Sequence, residues 1–217
     1  MTTTRYAHLT GWLLAAWFAL SLTASALHLF SVPPGRPPLP ILIAVLAPLA
    51  IFSIWYLRSA DLRGYLLSLS PRVLTLLHAW RIGGFVFLVL AAYNILPALF
   101  ALPAGWGDIA IGVTAPFVAY RLATPAHKRT FIFWHILGIT DLVLAVSLGA
   151  LAPFLDPRQL APNAVTPAPM STLPLSLIPT FAVPLLLILH IISIAQTRHW
   201  AEGRSPNLRE KLGPLTA

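Results

Sequence analysis

The sequence contains no cysteine and few charged residues. Without cysteine, the chain can form no disulfide bond, thiolate metal site, iron–sulfur cluster or cysteine nucleophile. Charged residues make up 9% of the chain and hydrophobic residues 58%, whereas a soluble domain carries about 25% charged residues. Because so few charges cannot cover a water-exposed surface, the composition predicts a polytopic membrane protein.

The chain also lacks the short motifs that mark common enzyme classes. It has no glycine-rich phosphate loop, nucleophile elbow or zinc-protease helix. Its two lysines, Lys128 and Lys211, lie outside the apolar stretches, which excludes a retinal Schiff base inside a bundle. Six acidic residues, most of them outside the predicted core, argue against metal-assisted hydrolysis. We therefore assign no catalytic residue and favour a role other than catalysis, although an intramembrane enzyme with sparse motifs stays open.

Six apolar stretches are long enough, or nearly so, to cross a bilayer, which takes about 20 helical residues. They predict an all-α bundle forming a single transmembrane domain over residues 1–217. Residues 153–174 contain six prolines and predict an extended, solvated loop, and residues 196–217 predict a short tail. The predicted spans are residues 10–32, 39–57, 73–100, 104–120, 131–151 and 173–195.

The basic residues predict which side of the membrane each connection faces. With six spans, eleven of the 14 Lys and Arg residues fall on one side, and Arg36 and Arg158 fall on the other. Because such residues collect in cytoplasmic loops, we predict cytoplasmic termini and an extracytoplasmic 153–174 loop. The composition fits a bacterial inner membrane. The same distribution explains the net charge of +8, so we expect no nucleic-acid partner.

Two segments have alternative interpretations. Arg5, the following apolar run and the Ala-Ser-Ala sequence at 24–26 have the form of a secretory signal peptide. The run continues through Phe30 to spanning length, which favours an uncut helix, whereas cleavage after Ala26 would leave five spans. Residues 57–73 fit either a short interfacial helix or a plain connection.

Charged side chains inside the spans mark candidate sites, because charge is costly at bilayer depth. Arg81 and Asp141 lie about 12 and 15 Å from the cytoplasmic ends of their helices. We predict that they form a buried ion pair, which either locks helix packing or binds a substrate, an ion or a proton. Asp108 is predicted either to cap the fourth span or to form an acidic site at an outer cavity mouth, with Asn94 nearby.

Three histidines share one predicted layer, about 6–8 Å from the cytoplasmic ends of their helices. Two of these residues, His78, His135 and His190, could sandwich a haem b. No two histidines stand three or four apart on one helix, so we predict no metal site. His135 and Asp141 lie about 120° apart around their helix, and we expect them to serve separate sites.

These observations leave three candidate functions. The first is a small carrier or channel-like protein for a small molecule or a proton, using Arg81, Asp141 and Asp108 and no resident cofactor. The second is a haem b electron carrier. The third is a non-catalytic subunit that binds a partner in a homo-oligomer or a larger membrane complex.

Overall fold

The computed structural model describes residues 3–33, 35–156, 161 and 164–200. Within these residues, all regular secondary structure is helical, and six helices are long and apolar enough to cross a membrane. The predicted all-α fold is therefore confirmed. The chain is a multi-pass membrane protein whose apolar helices contact the lipid bilayer.

Several spans combine more than one kind of helical winding. The third span joins α4 (Pro71–Leu76), a 3-10 segment (Leu77–Gly84) and α5 (Phe85–Ala92). The fourth continues from α6 (Ala98–Phe117) into a π-turn (Val118–Leu122), and the sixth begins with a π-turn (Ile178–Ala182) before α8 (Val183–Gln196). The α-helices of the described residues are α1 (Thr3–Ala26), α2 (Leu39–Arg58), α3 (Ala60–Ser68), α4 (Pro71–Leu76), α5 (Phe85–Ala92), α6 (Ala98–Phe117), α7 (Lys128–Leu155) and α8 (Val183–Gln196).

The boundary between the third and fourth spans differs from the prediction. Asn94 has a φ of 55°, a left-handed conformation that ends α5 at Ala92. Pro97 is the N-cap residue of α6, so the apolar residues up to 100 divide between two helices. The fourth span begins at Ala98 rather than near residue 104, because the Pro-Ala-Gly-Trp-Gly sequence at 103–107 is helical and not a turn.

Residues 57–73 include a helix, which decides between the two interpretations of this segment. The hydroxyl of Ser59 accepts a hydrogen bond from the N–H of Leu62 at 3.2 Å and so caps α3. Gln196, at the end of α8, donates to the carbonyls of Leu66 and Leu69 at 3.1 and 2.7 Å. The helix is therefore tied to the bundle and is not a plain connection.

The carbonyl of Thr180 holds α1 against the bundle. Pro184 lacks the N–H that would bond to the Thr180 carbonyl in a regular α-helix. Trp17 Nε1 and Ser21 Oγ donate to that carbonyl instead, at 3.2 and 3.3 Å. The Trp17 ring also packs edge-to-face on Phe181, with ring centroids 4.9 Å apart. Since an unbonded carbonyl in hydrocarbon costs several kcal/mol, these contacts position α1.

The proline-rich connection after α7 is packed against the bundle where the structure describes it. It contains a 3-10 turn (Ala168–Ser171), and Met170 packs against the hydrophobic cluster that contains Phe87 and Phe100. The prediction of an extended, solvated loop is corrected for this part, because its apolar side chains cover an apolar surface. Residues 157–160, 162–163 and 201–217, which include Arg158 and most of the predicted tail, lie outside the described residues.

Candidate functional site

The third span carries two polar side chains on an unusually wound segment. Leu77–Gly84 is a 3-10 helix, with three residues per turn, so residues three apart stand directly above one another. His78, Arg81 and Gly84 occupy one such row, and all three are buried. The winding therefore aims the histidine and the arginine at the interior of the bundle.

Arg81 joins carboxylates from two other helices. Its Nε lies 2.7 Å from Asp108 Oδ1 on α6, and its Nη2 contacts Asp141 Oδ2 on α7. The Arg81 side chain is 1% exposed, and those of Asp108 and Asp141 are 17% and 15% exposed. Charge-assisted hydrogen bonds of this kind are the strong ones in proteins. We call Arg81, Asp108 and Asp141 the ion network. With both carboxylates ionised, it carries one net negative charge.

The structure brings Arg81 and Asp141 together, as the sequence predicted, and adds Asp108. Asp108 does not cap a helix, because α6 begins at Ala98 and places it about 15 Å along the helix axis. Its carboxylate meets Arg81 instead of free N–H groups. Asn94 lies in the exposed turn after α5, and no hydrogen bond among the described residues joins it to the network.

Glycines on α6 and α7 allow the helices to approach the polar side chains closely. A Cβ atom on Gly107 would overlap the carboxylate of Asp141, and one on Gly138 would overlap the ring of His190. The Gly138 carbonyl also accepts a hydrogen bond from Arg81 Nη1 at 3.4 Å. Small residues at these positions are therefore part of the site and not only a packing feature.

Three histidines from three spans meet in the interior, and we call His78, His135 and His190 the histidine cluster. Each is 0% exposed. The rings of His78 and His190 stack with centroids 3.8 Å apart, and His135 Nδ1 lies 2.7 Å from His190 Nδ1. One ring nitrogen from each histidine lies within 4.8 Å of the other two. These are the residues of the site that could hold a metal ion.

Part of the hydrogen-bonding capacity of the histidine cluster is unused. Both ring nitrogens of His78 and Nε2 of His135 are buried without a hydrogen-bond partner in the described part of the chain. Phe131 and Trp134 pack on His135, with ring centroids 4.4 and 4.9 Å away, and supply no acceptor. Leaving a buried polar atom unbonded costs about 1–3 kcal/mol, so the cluster would gain from a bound partner.

A contact of hydrogen-bond length connects the histidine cluster to the ion network. Arg81 Nη1 lies 3.4 Å from His190 Nε2. His135 and Asp141, which the helix geometry assigned to separate sites, are therefore linked through His190 and Arg81. His135 and Asp141 still point in different directions from α7, but the side chains of His190 and Arg81, from two other spans, connect them.

The arrangement of the histidine cluster does not fit a haem. A haem with two histidine ligands needs a flat slot between their rings, with one histidine on each face. No two of the three ring centroids are more than 5.9 Å apart, so the third ring always stands where the macrocycle would lie. The geometry favours a single ion.

A cavity of about 470 Å³ reaches the ion network from one end of the bundle. Asp108 lines it, together with mainly apolar side chains such as Phe87, Phe100 and Leu142. The connections that follow α1 and α7 form the outer part of its wall, where Arg36 also lies. The cavity thus places a carboxylate next to an apolar compartment.

Comparison with protein families provides one match. The model of the family DUF8737, described as a domain of unknown function, matches residues 37–198, which is more than half of the 217-residue chain. The chain belongs to the DUF8737 family. The matched segment contains the ion network and the histidine cluster, and α1 precedes it. Comparisons with curated proteins and with solved structures find no match.

The sequence of this DUF8737 protein contains a spacing signal for the site, because residues three apart, such as His78 and Arg81, share a face of an α-helix. His78, Arg81 and Gly84 are spaced by three, which is the period of a 3-10 helix. Arg81 and Asp141 were found from their matching depths, and the three histidines from their common layer. Their connection through Arg81 was missed, because it depends on the rotation of three helices about their axes.

Proposed function

We propose that this DUF8737 protein is a small membrane carrier that binds a mostly apolar cation. The observation that carries the proposal is that a mainly apolar cavity of about 470 Å³ is lined by Asp108 inside the bundle, with Arg36 in its outer wall. A cavity of this size accommodates a small molecule. A carboxylate in surroundings of low dielectric constant attracts a positive charge more strongly than it would in water.

The ion network explains how a negative site can exist at this depth. Arg81 contacts both Asp108 and Asp141 but can neutralise only one of them. The remaining negative charge is available for a bound cation or, when the cavity is empty, for a proton. Exchange between the two would couple binding to proton movement, since a carboxylate can be neutralised and an arginine cannot.

Polar contacts also continue beyond the cavity, which favours a carrier over an ion pair that only stabilises helix packing. From Asp108 they pass to Arg81 at 2.7 Å, to His190 at 3.4 Å and to His135 at 2.7 Å. The third and sixth spans that supply Arg81 and His190 are interrupted by 3-10 and π segments. Carriers commonly bind their substrates near the middle of the membrane, between interrupted helices.

The proposed carrier lies in a bacterial inner membrane with both termini in the cytoplasm. The Lys and Arg distribution supports this orientation. It places the connections after α1 and α7, and with them the cavity mouth, on the outer side. The histidine cluster then lies toward the cytoplasmic side of the ion network.

Binding and flux of ethidium, an aromatic molecule with a fixed positive charge, test the proposal. The full-length protein in detergent should bind ethidium saturably, and vesicles containing it should take up ethidium faster than empty vesicles. Asp108→Asn should weaken binding about tenfold, which corresponds to about 1.4 kcal/mol. Asp61→Asn removes the same charge from the exposed start of α3 and should leave binding unchanged.

Two results would reject the carrier. One is the absence of saturable ethidium binding by the wild-type protein. The other is equal binding and flux for wild type and Asp108→Asn, with both proteins folded as judged by a single symmetrical elution peak.

A further inference from the structure

The histidine cluster has the composition of a transition-metal site. Imidazole nitrogen suits Zn²⁺, copper, iron and nickel, whereas Mg²⁺ and Ca²⁺ prefer oxygen ligands. The three rings come from the 3-10 segment, α7 and α8, and each is 0% exposed. Three histidines and an open fourth position form a recurrent zinc coordination set.

The distances allow one ion to reach all three rings. One nitrogen from each ring lies within 4.8 Å of the others. Ligands of a tetrahedral Zn²⁺, each about 2.0–2.1 Å from the metal, are about 3.3 Å apart. Small rotations of the three side chains would therefore close the set. His78, whose two ring nitrogens lack a hydrogen-bond partner among the described residues, would gain one in the metal.

The nearest charged side chains offset part of the charge of a metal ion despite the nearby guanidinium. Arg81 contacts His190, but Asp108 and Asp141 together carry one more charge than Arg81 neutralises. Phe131 and Trp134 pack against the rings and hold their orientation. An apolar shell of this kind limits the access of solvent to a metal site.

We propose that His78, His135 and His190 form a binding site for one first-row transition-metal ion, of which Zn²⁺ is the representative. The site lies on the opposite side of Arg81 from the cavity. It is distinct from the proposed cation site at Asp108 and does not depend on carrier activity. Metal content and ethidium binding are separate measurements, so either proposal can fail alone.

Metal loading of the full-length protein in mild detergent tests the site. The protein is incubated with Zn²⁺ or Co²⁺, desalted and analysed for its elements and its visible spectrum. We expect one metal ion per chain and the intense visible bands of Co²⁺ with four or fewer ligands. His78→Gln should weaken binding at least about tenfold, whereas His8→Ala, an exposed histidine of α1, should bind as the wild type does.

The wild-type protein alone keeps the test decisive if His78→Gln does not fold. One equivalent of Zn²⁺ that raises the melting temperature, with reversal by a chelator, would support the site. Much less than one equivalent of either metal would overturn it. So would equal loss of binding in His8→Ala and His78→Gln, or a Soret band in the purified protein, which would indicate haem.

Discussion

Arg81 Nη1 lies 3.4 Å from Nε2 of His190. Because a guanidinium can only donate hydrogen bonds, Nε2 must accept, and a neutral His190 carries its proton on Nδ1. That nitrogen lies 2.7 Å from Nδ1 of His135, so His135 accepts there and keeps its own proton on Nε2. The orientation of Arg81 therefore sets the tautomers of two histidines in sequence.

Arg81→Gln should strongly destabilise the protein. The substitution leaves Asp108 and Asp141 buried without their cation, and breaking a buried ion pair costs about 3–5 kcal/mol. Denaturant unfolding in detergent micelles measures the loss. Arg121→Gln, at an exposed position of the π-turn Val118–Leu122, is the matched control and should change stability by less than about 0.5 kcal/mol. Equal stability of Arg81→Gln and wild type would contradict the prediction.

Two neighbouring glycines of the 3-10 segment should respond differently to the same substitution. A Cβ atom on Gly84 would overlap the side chain of Asp108, whereas one on Gly83 would meet nothing within 4 Å. Gly84→Ala should therefore cost about 1–3 kcal/mol through overpacking and weaken ethidium binding by displacing Asp108. Gly83→Ala should be neutral or slightly stabilising. Equal melting temperatures of the two variants would contradict the close approach of α6 to the 3-10 segment at Gly84.

The attachment of α1 can be measured with a double-mutant cycle. Trp17→Phe removes one hydrogen bond to the Thr180 carbonyl and should cost about 0.5–1.5 kcal/mol. In a Pro184→Ala background, the new N–H can bond to that carbonyl, so the cost of Trp17→Phe should fall. The coupling is expected because both changes act on one acceptor. Additive effects in unfolding experiments would mean that Pro184 does not determine this contact.

Membrane orientation can be tested by single cysteines, since the natural chain has none. Arg36→Cys lies in the connection after α1, and Arg58→Cys lies at the end of α2. A membrane-impermeant maleimide should label Arg36→Cys in intact cells and Arg58→Cys only after lysis. The opposite labelling pattern would show that the orientation is the reverse of the proposed one. Labelling of both cysteines in intact cells would show that α2 does not cross the membrane.

Depth along a helix could be predicted from this sequence, whereas rotation about its axis could not. The depths of Arg81 and Asp141 follow from the rise per residue, and the 3-10 winding of Leu77–Gly84 changes the depth of Arg81 by only about 2 Å. The spacing of three predicts that His78 and Arg81 share a face of their helix, and the 3-10 winding aligns them further. The rotations of α7 and α8 that bring His135 and His190 to the same place could not be predicted. Asp108 was assigned to a helix start because Gly107 and its neighbours resemble a turn. In a membrane helix, glycine instead allows close packing.

The winding of Leu77–Gly84 has a mechanical consequence. A 3-10 helix rises about 2.0 Å per residue and an α-helix about 1.5 Å, so this segment of eight residues is about 4 Å longer than its α-helical form. Rewinding would also turn His78 relative to Arg81 by about 60°, at about 20° for each of three residues. A change from 3-10 to α-helical winding would therefore shorten the third span by about 4 Å and turn His78 away from its position directly above Arg81.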